Sequence, residues 1–204
     1  MKPSSPTKTP LKGLRNKVLI LLIGLSAVIP FGLAWRYAEH PEWIEKTSNY
    51  GVLFAPGLSL QRDELLAVPL NDQEGFEQIR GRWILIQVAG AACALACSET
   101  LHKTHQGWLM LNKEMPRVKR LLLVPGPKTI EASPAIQQDD ALQVALLKPS
   151  ILDALTRAMG RPPEEGMLVL VDPQANLVLW YESGFDPYKM VRDLKHLLKA
   201  SQIG

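Results

Sequence analysis

Apolar and polar positions along this chain fall into one long unbroken apolar stretch followed by a series of short blocks. From Val18 to Trp35 the residues read VLILLIGLSAVIPFGLAW, 18 positions without a charge. As a helix that run spans roughly 27 Å at about 1.5 Å per residue, close to the hydrocarbon thickness of a bilayer. Trp35 and Tyr37 suit the far headgroup level and Arg36 ends the run, while tilt or local thinning absorbs the small shortfall. A cleaved signal peptide is the competing reading. Its apolar core usually runs about 7 to 15 residues and leads to a small-residue A-x-A site, and neither feature is present. The pattern predicts an uncleaved transmembrane helix over 18–35.

The blocks that follow alternate between strand-like and helix-like. Arg82–Val88 (RWILIQV) and Val118–Val124 (VKRLLLV) are nearly continuous apolar runs, the pattern of strands covered on both faces. Gly90 ends the first, and Pro125-Gly126-Pro127 stops the second. Between them Leu95, Leu101, Trp108, Leu109 and Leu111 recur at helical spacing, predicting a helix from about Leu95 to Lys113. Lys128 to Asp140 is polar and turn-rich and reads as a long surface loop. Gln143–Leu147 reads as an edge strand, and Ser150 as the N-cap of a helix that stops at Gly160. Gly166–Val171 and Asn176–Tyr181 flank Asp172-Pro173-Gln174-Ala175 as a hairpin. Met190, Leu194, Leu197 and Leu198 mark one face of a closing helix from Pro187 to Ala200.

Strand, helix, strand, helix, hairpin, helix is the thioredoxin-like order. The expected fold class is therefore α/β, a thioredoxin-like domain preceded by one N-terminal transmembrane helix. The expected division is a cytoplasmic basic tail over 1–17, the transmembrane helix over 18–35, a juxtamembrane linker over 36–48 that includes Trp43, and the domain over 49–204. The tail, rich in Pro, Ser and Lys, is too polar to build a core and reads as disordered.

Charge sharpens this picture. Five of the 23 Lys and Arg residues, Lys2, Lys8, Lys12, Arg15 and Lys17, lie in the first 17 positions with no acid among them, so the formal +3 comes from the tail and the rest carries 18 bases against 20 acids. A nucleic-acid binder concentrates its basic residues on the folded domain, so that class of partner is set aside. The positive-inside rule keeps the tail in the cytoplasm and sends the domain across the bilayer. In a bacterium this is a single-pass inner-membrane protein facing the periplasm. An acid-poor basic tail also resembles an organelle transit peptide, which leaves a mitochondrial inner membrane as the alternative.

The candidate chemistry lies in AGAACALACSETLHKTHQ, which follows the central strand and opens the next helix. A helix N-terminus carries partial positive charge and stabilises a thiolate, which is both nucleophile and metal ligand. Cys93 and Cys97 are spaced Cys-x-x-x-Cys. In regular helix their Cβ atoms would stand about 5 to 6 Å apart, beyond the roughly 3.5 to 4.5 Å of a disulfide. A bridge therefore needs Cys93 on the loop before the helix, and the small residues Gly90-Ala91-Ala92 allow that. Two sulfurs on one face alternatively clasp a soft ion such as Cu(I) or Zn. An inert structural bridge is the third option, although closing so short a loop adds little stability. His102 and His105 stand roughly 140° and 80° around the helix from Cys97, so a Cys2His2 site is not expected. They and His40 and His196 are expected to be surface residues. No acidic pair, phosphate loop or Ser-His-Asp set supports a hydrolase or kinase.

The strand RWILIQV, the Cys-x-x-x-Cys, the strand KRLLLV and the late segment LVLVDPQANLVLWY together resemble the Sco-type proteins that mature the copper centre of cytochrome c oxidase, over roughly residues 49 to 204. More narrowly, NYG near the domain start, RGRW before the strand, CALAC and the closing DLKHLLK resemble the single-span, Sco-like proteins associated with bacterial cytochrome oxidase gene clusters. The resemblance implies a thioredoxin fold, Cys93 and Cys97 as the reactive dithiol and as the pair that would hold copper as Cu(I), and oxidase subunits and the lipid bilayer as partners. Sco proteins also carry a copper-ligating His shortly before the late strand that ends in Asp-Pro. The corresponding stretch, Arg161-Pro-Pro-Glu-Glu-Gly166, has none. Pro163 there is either the counterpart of the Pro that faces the dithiol in redox thioredoxins or part of an ordinary Pro162-Pro163 turn. The function implied is assistance to copper-centre assembly by thiol-disulfide exchange or copper handling, Cys93 attacking and Cys97 resolving. A non-catalytic scaffold of the oxidase and a general periplasmic disulfide oxidoreductase are the alternatives.

Overall fold

The computed structural model describes residues 11–40, 49–55, 57–60, 79, 81–131 and 133–201. It divides the chain into two units, Met1–Ser48 and Asn49–Gly204. Trp43 and residues 1–10 and 41–48 lie outside the described residues.

Among the described residues of the first unit, one helix, α1, runs Leu11–Glu39 and continues through Pro30. Its stretch Arg15–Glu39 is, among the described residues, the one helix long and apolar enough to cross a membrane. The helix is longer than the apolar run at both ends, so residues 11–17 are helical where a disordered tail was expected, and Arg36–Glu39 continue it into the segment read as a linker or short helix. Lys, Arg and Glu are good helix formers, and the stop comes at His40, the residue before Pro41, where the α conformation is sterically disfavoured.

The second unit is built on a six-stranded sheet. Its strands are β1 (Val52–Leu53), β2 (Trp83–Val88), β3 (Val118–Val124), β4 (Leu142–Leu146), β5 (Leu168–Val171) and β6 (Leu177–Tyr181), in the order β1-β6-β5-β2-β3-β4. β2, β3 and β4 are parallel, whereas β5 and β6 form an antiparallel hairpin against β2, and β1 lies antiparallel on β6. Helix α2 (Leu95–Leu109) crosses from β2 to β3, and α6 (Pro187–Ala200) follows the hairpin. A βαβ half and a ββα half sharing a sheet is the thioredoxin-like arrangement. α5 (Pro149–Met159) links the two halves across one face, and β4 extends the sheet at one edge.

The strands' period of two decides which residues meet which helices. Ile84, Ile86, Leu121, Leu123, Val169 and Val171 point to one face, where Ile151 and Leu155 of α5 cover them. Trp83, Leu85, Leu168 and Leu170 point to the other, against Met190, Val191, Leu194 and Leu198 of α6. Helices α2 and α6 press together at Gly107, where any Cβ would collide with Met190 and Val191.

Three expectations are corrected. The α2 helix ends at Leu109, and a 3-10 turn over Asn112–Arg117 leads into β3 in place of helix to Lys113. Lys148, not Ser150, occupies the cap of α5, because Pro149 takes the first helical position, where its missing N–H costs nothing. Lys128 to Asp140 is not a plain surface loop: it holds two helical turns, α3 (Lys128–Glu131) and α4 (Pro134–Gln137), with Ile136 buried. Pro134 starts the second of these, and its apolar contacts give an otherwise polar segment a reason to fold back.

The chain enters this unit through a latch. Asp193 on α6 is 3% exposed, and its Oδ2 accepts from the backbone N–H groups of Tyr50 (2.8 Å) and Gly51 (2.9 Å) and from the Tyr181 hydroxyl (3.0 Å). Burial first, and then the charge and hydrogen bond of Asp193, push the Tyr181 phenol well above its ordinary value. Gly51 is required there because a Cβ would stand 2.8 Å from the Tyr181 ring. Asp193→Ala strands three donors, each worth about 1–3 kcal/mol when buried and unpaired. It is expected to cost about 3 kcal/mol or more, read as a lowered urea midpoint of the Trp fluorescence transition.

Candidate functional site: a disulfide at a strand-to-helix junction

The β2 strand is buried along its whole length and ends where Ala89 N–H donates to Leu123 O at 2.9 Å. Beyond it the chain must reverse into α2 within a few residues, and the small side chains of Gly90, Ala91 and Ala92 let it do so. Ala91 O accepts from the Thr129 hydroxyl of α3 at 2.9 Å. The segment expected to be loose surface therefore pins the approach to the cysteines.

Cys93 and Cys97 are joined by a disulfide with a Cα–Cα distance of 5.1 Å. Cys93 stands on the loop with φ +43°, and Cys97 lies in the first turn of α2, which starts at Leu95. This is the placement a bridge at this spacing requires. Left-handed backbone at a non-glycine residue costs roughly 1 kcal/mol, and the covalent link and the pinned loop hold it. Cys97 is 1% exposed and Cys93 7%. Both are buried, and the pair packs with Leu101, Leu122, Val124, Ile136 and Val144. Ala91, Ala92, Ala94 and Leu95 around it are exposed.

A third group faces the bridge from the loop before β5. Glu165 Oε1 accepts from Ala94 N–H, at the cap of α2, at 2.8 Å and from Gly90 N–H, just beyond β2, at 3.3 Å. Its oxygen and the two sulfurs all lie within 4.8 Å of one another. The loop is fixed from three sides. Arg161 binds Glu164 at 2.6 Å and Glu182 at 2.5 Å, the Thr100 hydroxyl donates to Gly166 O at 2.8 Å, and Gly166 itself has φ +87° and abuts Ala96 and Ser183. Glu165 is thus a residue of this loop that reaches the cysteines. Nothing in the sequence singled it out.

The histidines join no cluster with the sulfurs among the described residues. His102 and His196 are exposed. His105 departs from expectation: it is half-buried, with Nδ1 3.2 Å from Asp139 and 3.1 Å from the guanidinium of Arg120. Arg120, on β3, is 1% exposed and binds Asp139 at 2.6 Å and Leu101 O at 3.1 Å. Burial draws its guanidinium below the ordinary value, and Asp139 opposes that by charge and hydrogen bond. The network ties α2 to β3 and α4, beneath the site.

Residues 83–201 match the family described as the transmembrane-like, thioredoxin-like, C-terminal domain. Among solved structures, copper-bound yeast Sco1 aligns at a TM-score of 0.50 and 13% identity, covering 61% of this chain and 83% of that one. Yeast Sco1 as described without mention of copper aligns at 0.50 and 14%, covering 61% and 84%, and apo Sco1 from Thermus thermophilus at 0.47 and 18%, covering 64% and 89%. At these identities the likeness is one of fold. No curated protein sequence matches the chain.

Gly166→Ala places a Cβ 2.6 Å from Ser183 Oγ and 3.0 Å from Ala96 at a positive φ. It is expected to lower stability by about 1–3 kcal/mol, seen as a drop in the thermal unfolding midpoint.

Proposed function

The chain belongs to the transmembrane-like, thioredoxin-like, C-terminal domain family, and from that premise we propose that it assists assembly of the copper centre of cytochrome c oxidase by thiol-disulfide exchange through Cys93 and Cys97. In this reading α1 anchors it in the bacterial inner membrane, the basic N-terminus stays in the cytoplasm, the second unit works in the periplasm, and oxidase subunits are its partners.

The observation that carries the reading is the Cys93–Cys97 bridge at the start of α2, with Cys93 the less buried residue of the pair. The resemblance of RWILIQV, the Cys-x-x-x-Cys and the late hairpin to Sco-type proteins supports it, as does the likeness of fold to yeast Sco1. In the reduced domain the Cys93 thiolate attacks one sulfur of a partner disulfide, whose other sulfur leaves as a thiolate and is protonated from water. Cys97 then gives its proton to solvent and attacks the Cys93 sulfur, expelling the partner's second sulfur. The bridge re-forms here, and the partner gains two electrons and two protons. For an oxidase copper site, that leaves its cysteines reduced and able to take metal.

Copper handling through the same pair is the second form of the reading, favoured by the grouping of Cys93, Cys97 and Glu165. Reduction frees two soft sulfur donors that suit Cu(I), whereas the third donor is a hard carboxylate where Sco proteins have an imidazole. The donor set fits Cu(I) at the two cysteines and not at the third position.

Cys93→Ser and Cys97→Ser, each made in the full chain, are expected to cut disulfide exchange with a peptide disulfide at least about tenfold and to lower the copper content of the oxidase. Unchanged values in both variants leave the non-catalytic scaffold as the role.

A further inference from the structure

The exchange scheme leaves Glu165 with nothing to do, although it is the acidic group that clusters with the two sulfurs among the described residues. We propose that Glu165 sets the direction of exchange. By holding negative charge beside Cys93 and Cys97 and by occupying the N–H at the cap of α2, it favours the bridge over the reduced pair and makes the domain an electron donor to a partner disulfide. The inference rests on the exchange reading and adds a direction to it.

Distance is the first ground. Breaking the bridge turns a neutral S–S bond into sulfurs that carry negative charge whenever one of them acts as nucleophile or leaving group. The carboxylate oxygen lies within 4.8 Å of both. Cys97 and Cys93 are 1% and 7% exposed, so water is excluded on the sulfur side while the carboxylate is half-buried, and the repulsion is screened only in part.

The second ground is where the backbone donors go. In a thioredoxin-like domain the positive end of the helix after the first core strand is what steadies a thiolate, lowering its proton affinity and making the disulfide a stronger oxidant. Here Ala94 N–H, at the cap of α2 and next to Cys93, is taken by Glu165 at 2.8 Å, and Gly90 N–H, just past β2, at 3.3 Å. The cap donor that could steady a sulfur goes to oxygen.

The third ground is that the carboxylate is held in place by features that have no other use in the loop. Thr100 fixes Gly166 O, Gly166 has the left-handed φ that turns the chain behind Glu165, and Gly90 leaves the room a side chain would fill, its absent Cβ falling 3.1 Å from Oε2. Arg161, the nearest cation of the loop, is engaged with Glu164 and Glu182 and leaves the Glu165 charge uncompensated by that route.

The overall step is a transfer of two electrons and two protons from the Cys93–Cys97 dithiol to a protein disulfide, with one S–S bond formed and one broken. Glu165 touches the reacting atoms but exchanges no bond, and its effect is on the equilibrium constant.

The test uses the full chain in detergent, brought to equilibrium with dithiothreitol or glutathione redox buffers, then quenched with acid and alkylated so that thiols are counted by mass. Glu165→Gln keeps the shape and can still accept from Ala94 N–H while losing the charge. It is expected to shift the equilibrium toward the dithiol by about tenfold, about 30 mV for a two-electron couple, and to speed alkylation of reduced Cys93 by a similar factor. Gly90→Ala, whose Cβ displaces the carboxylate rather than neutralising it, is expected to shift the equilibrium in the same direction. A Glu165→Gln chain with the wild-type equilibrium constant overturns this inference alone. A wild-type chain that exchanges with neither buffer overturns the exchange reading, and this inference with it.

Discussion

Everything in the second unit that bears on chemistry depends on how the chain turns from β2 into α2. Two cysteines four residues apart can be bonded only if the first leaves the helix, and Cys93 does so at φ +43°. Such a backbone is not self-supporting. It is held by the bridge, by Thr129 on Ala91 O, and by Glu165 on the N–H groups of Gly90 and Ala94. Each support comes from a different part of the chain, so the site exists only in the folded domain, at the point where α3, the loop before β5 and the β2–α2 junction converge.

That convergence explains what could be read from sequence and what could not. β2 and β3 stand out as apolar runs because both faces of a central strand are covered, and the β5–β6 hairpin stands out because Asp172 through Ala175 carries turn chemistry between two such runs. α6 was legible from its apolar spacing. The features missed are those that depend on partners distant in sequence. The turns α3 and α4 are polar segments whose only helical incentive is packing of Ile130 and Ile136 over the cysteines. β1 is two residues long and takes its conformation from β6, through Val52 opposite Trp180.

The site was half legible. The cysteines announce themselves by type and spacing, and the need for Cys93 to sit on the loop follows from disulfide geometry. Glu165 does not announce itself, since a carboxylate in a Pro-rich loop reads as solvent-exposed. Asp193 is similar: within DLKHLLK it looks like an ordinary helix-surface acid, yet it receives the backbone of Tyr50 and Gly51 and the hydroxyl of Tyr181. The two segments NYG and DLKHLLK, each weak as a signature, turn out to be the two halves of one hydrogen-bonded latch.

The junction that carries the two sulfurs is also supplied with a carboxylate from the loop before β5. The claim on which the account turns is that the bridge in the folded chain is within reach of a partner. Native-state thiol trapping reads this directly: the full chain in detergent is treated with a small dithiol reductant and then with a mass-tagged alkylating reagent, without denaturant. The account predicts that both thiols appear while the domain stays folded, with Cys93 tagged ahead of Cys97. Thiols that appear only once the domain is unfolded would contradict it.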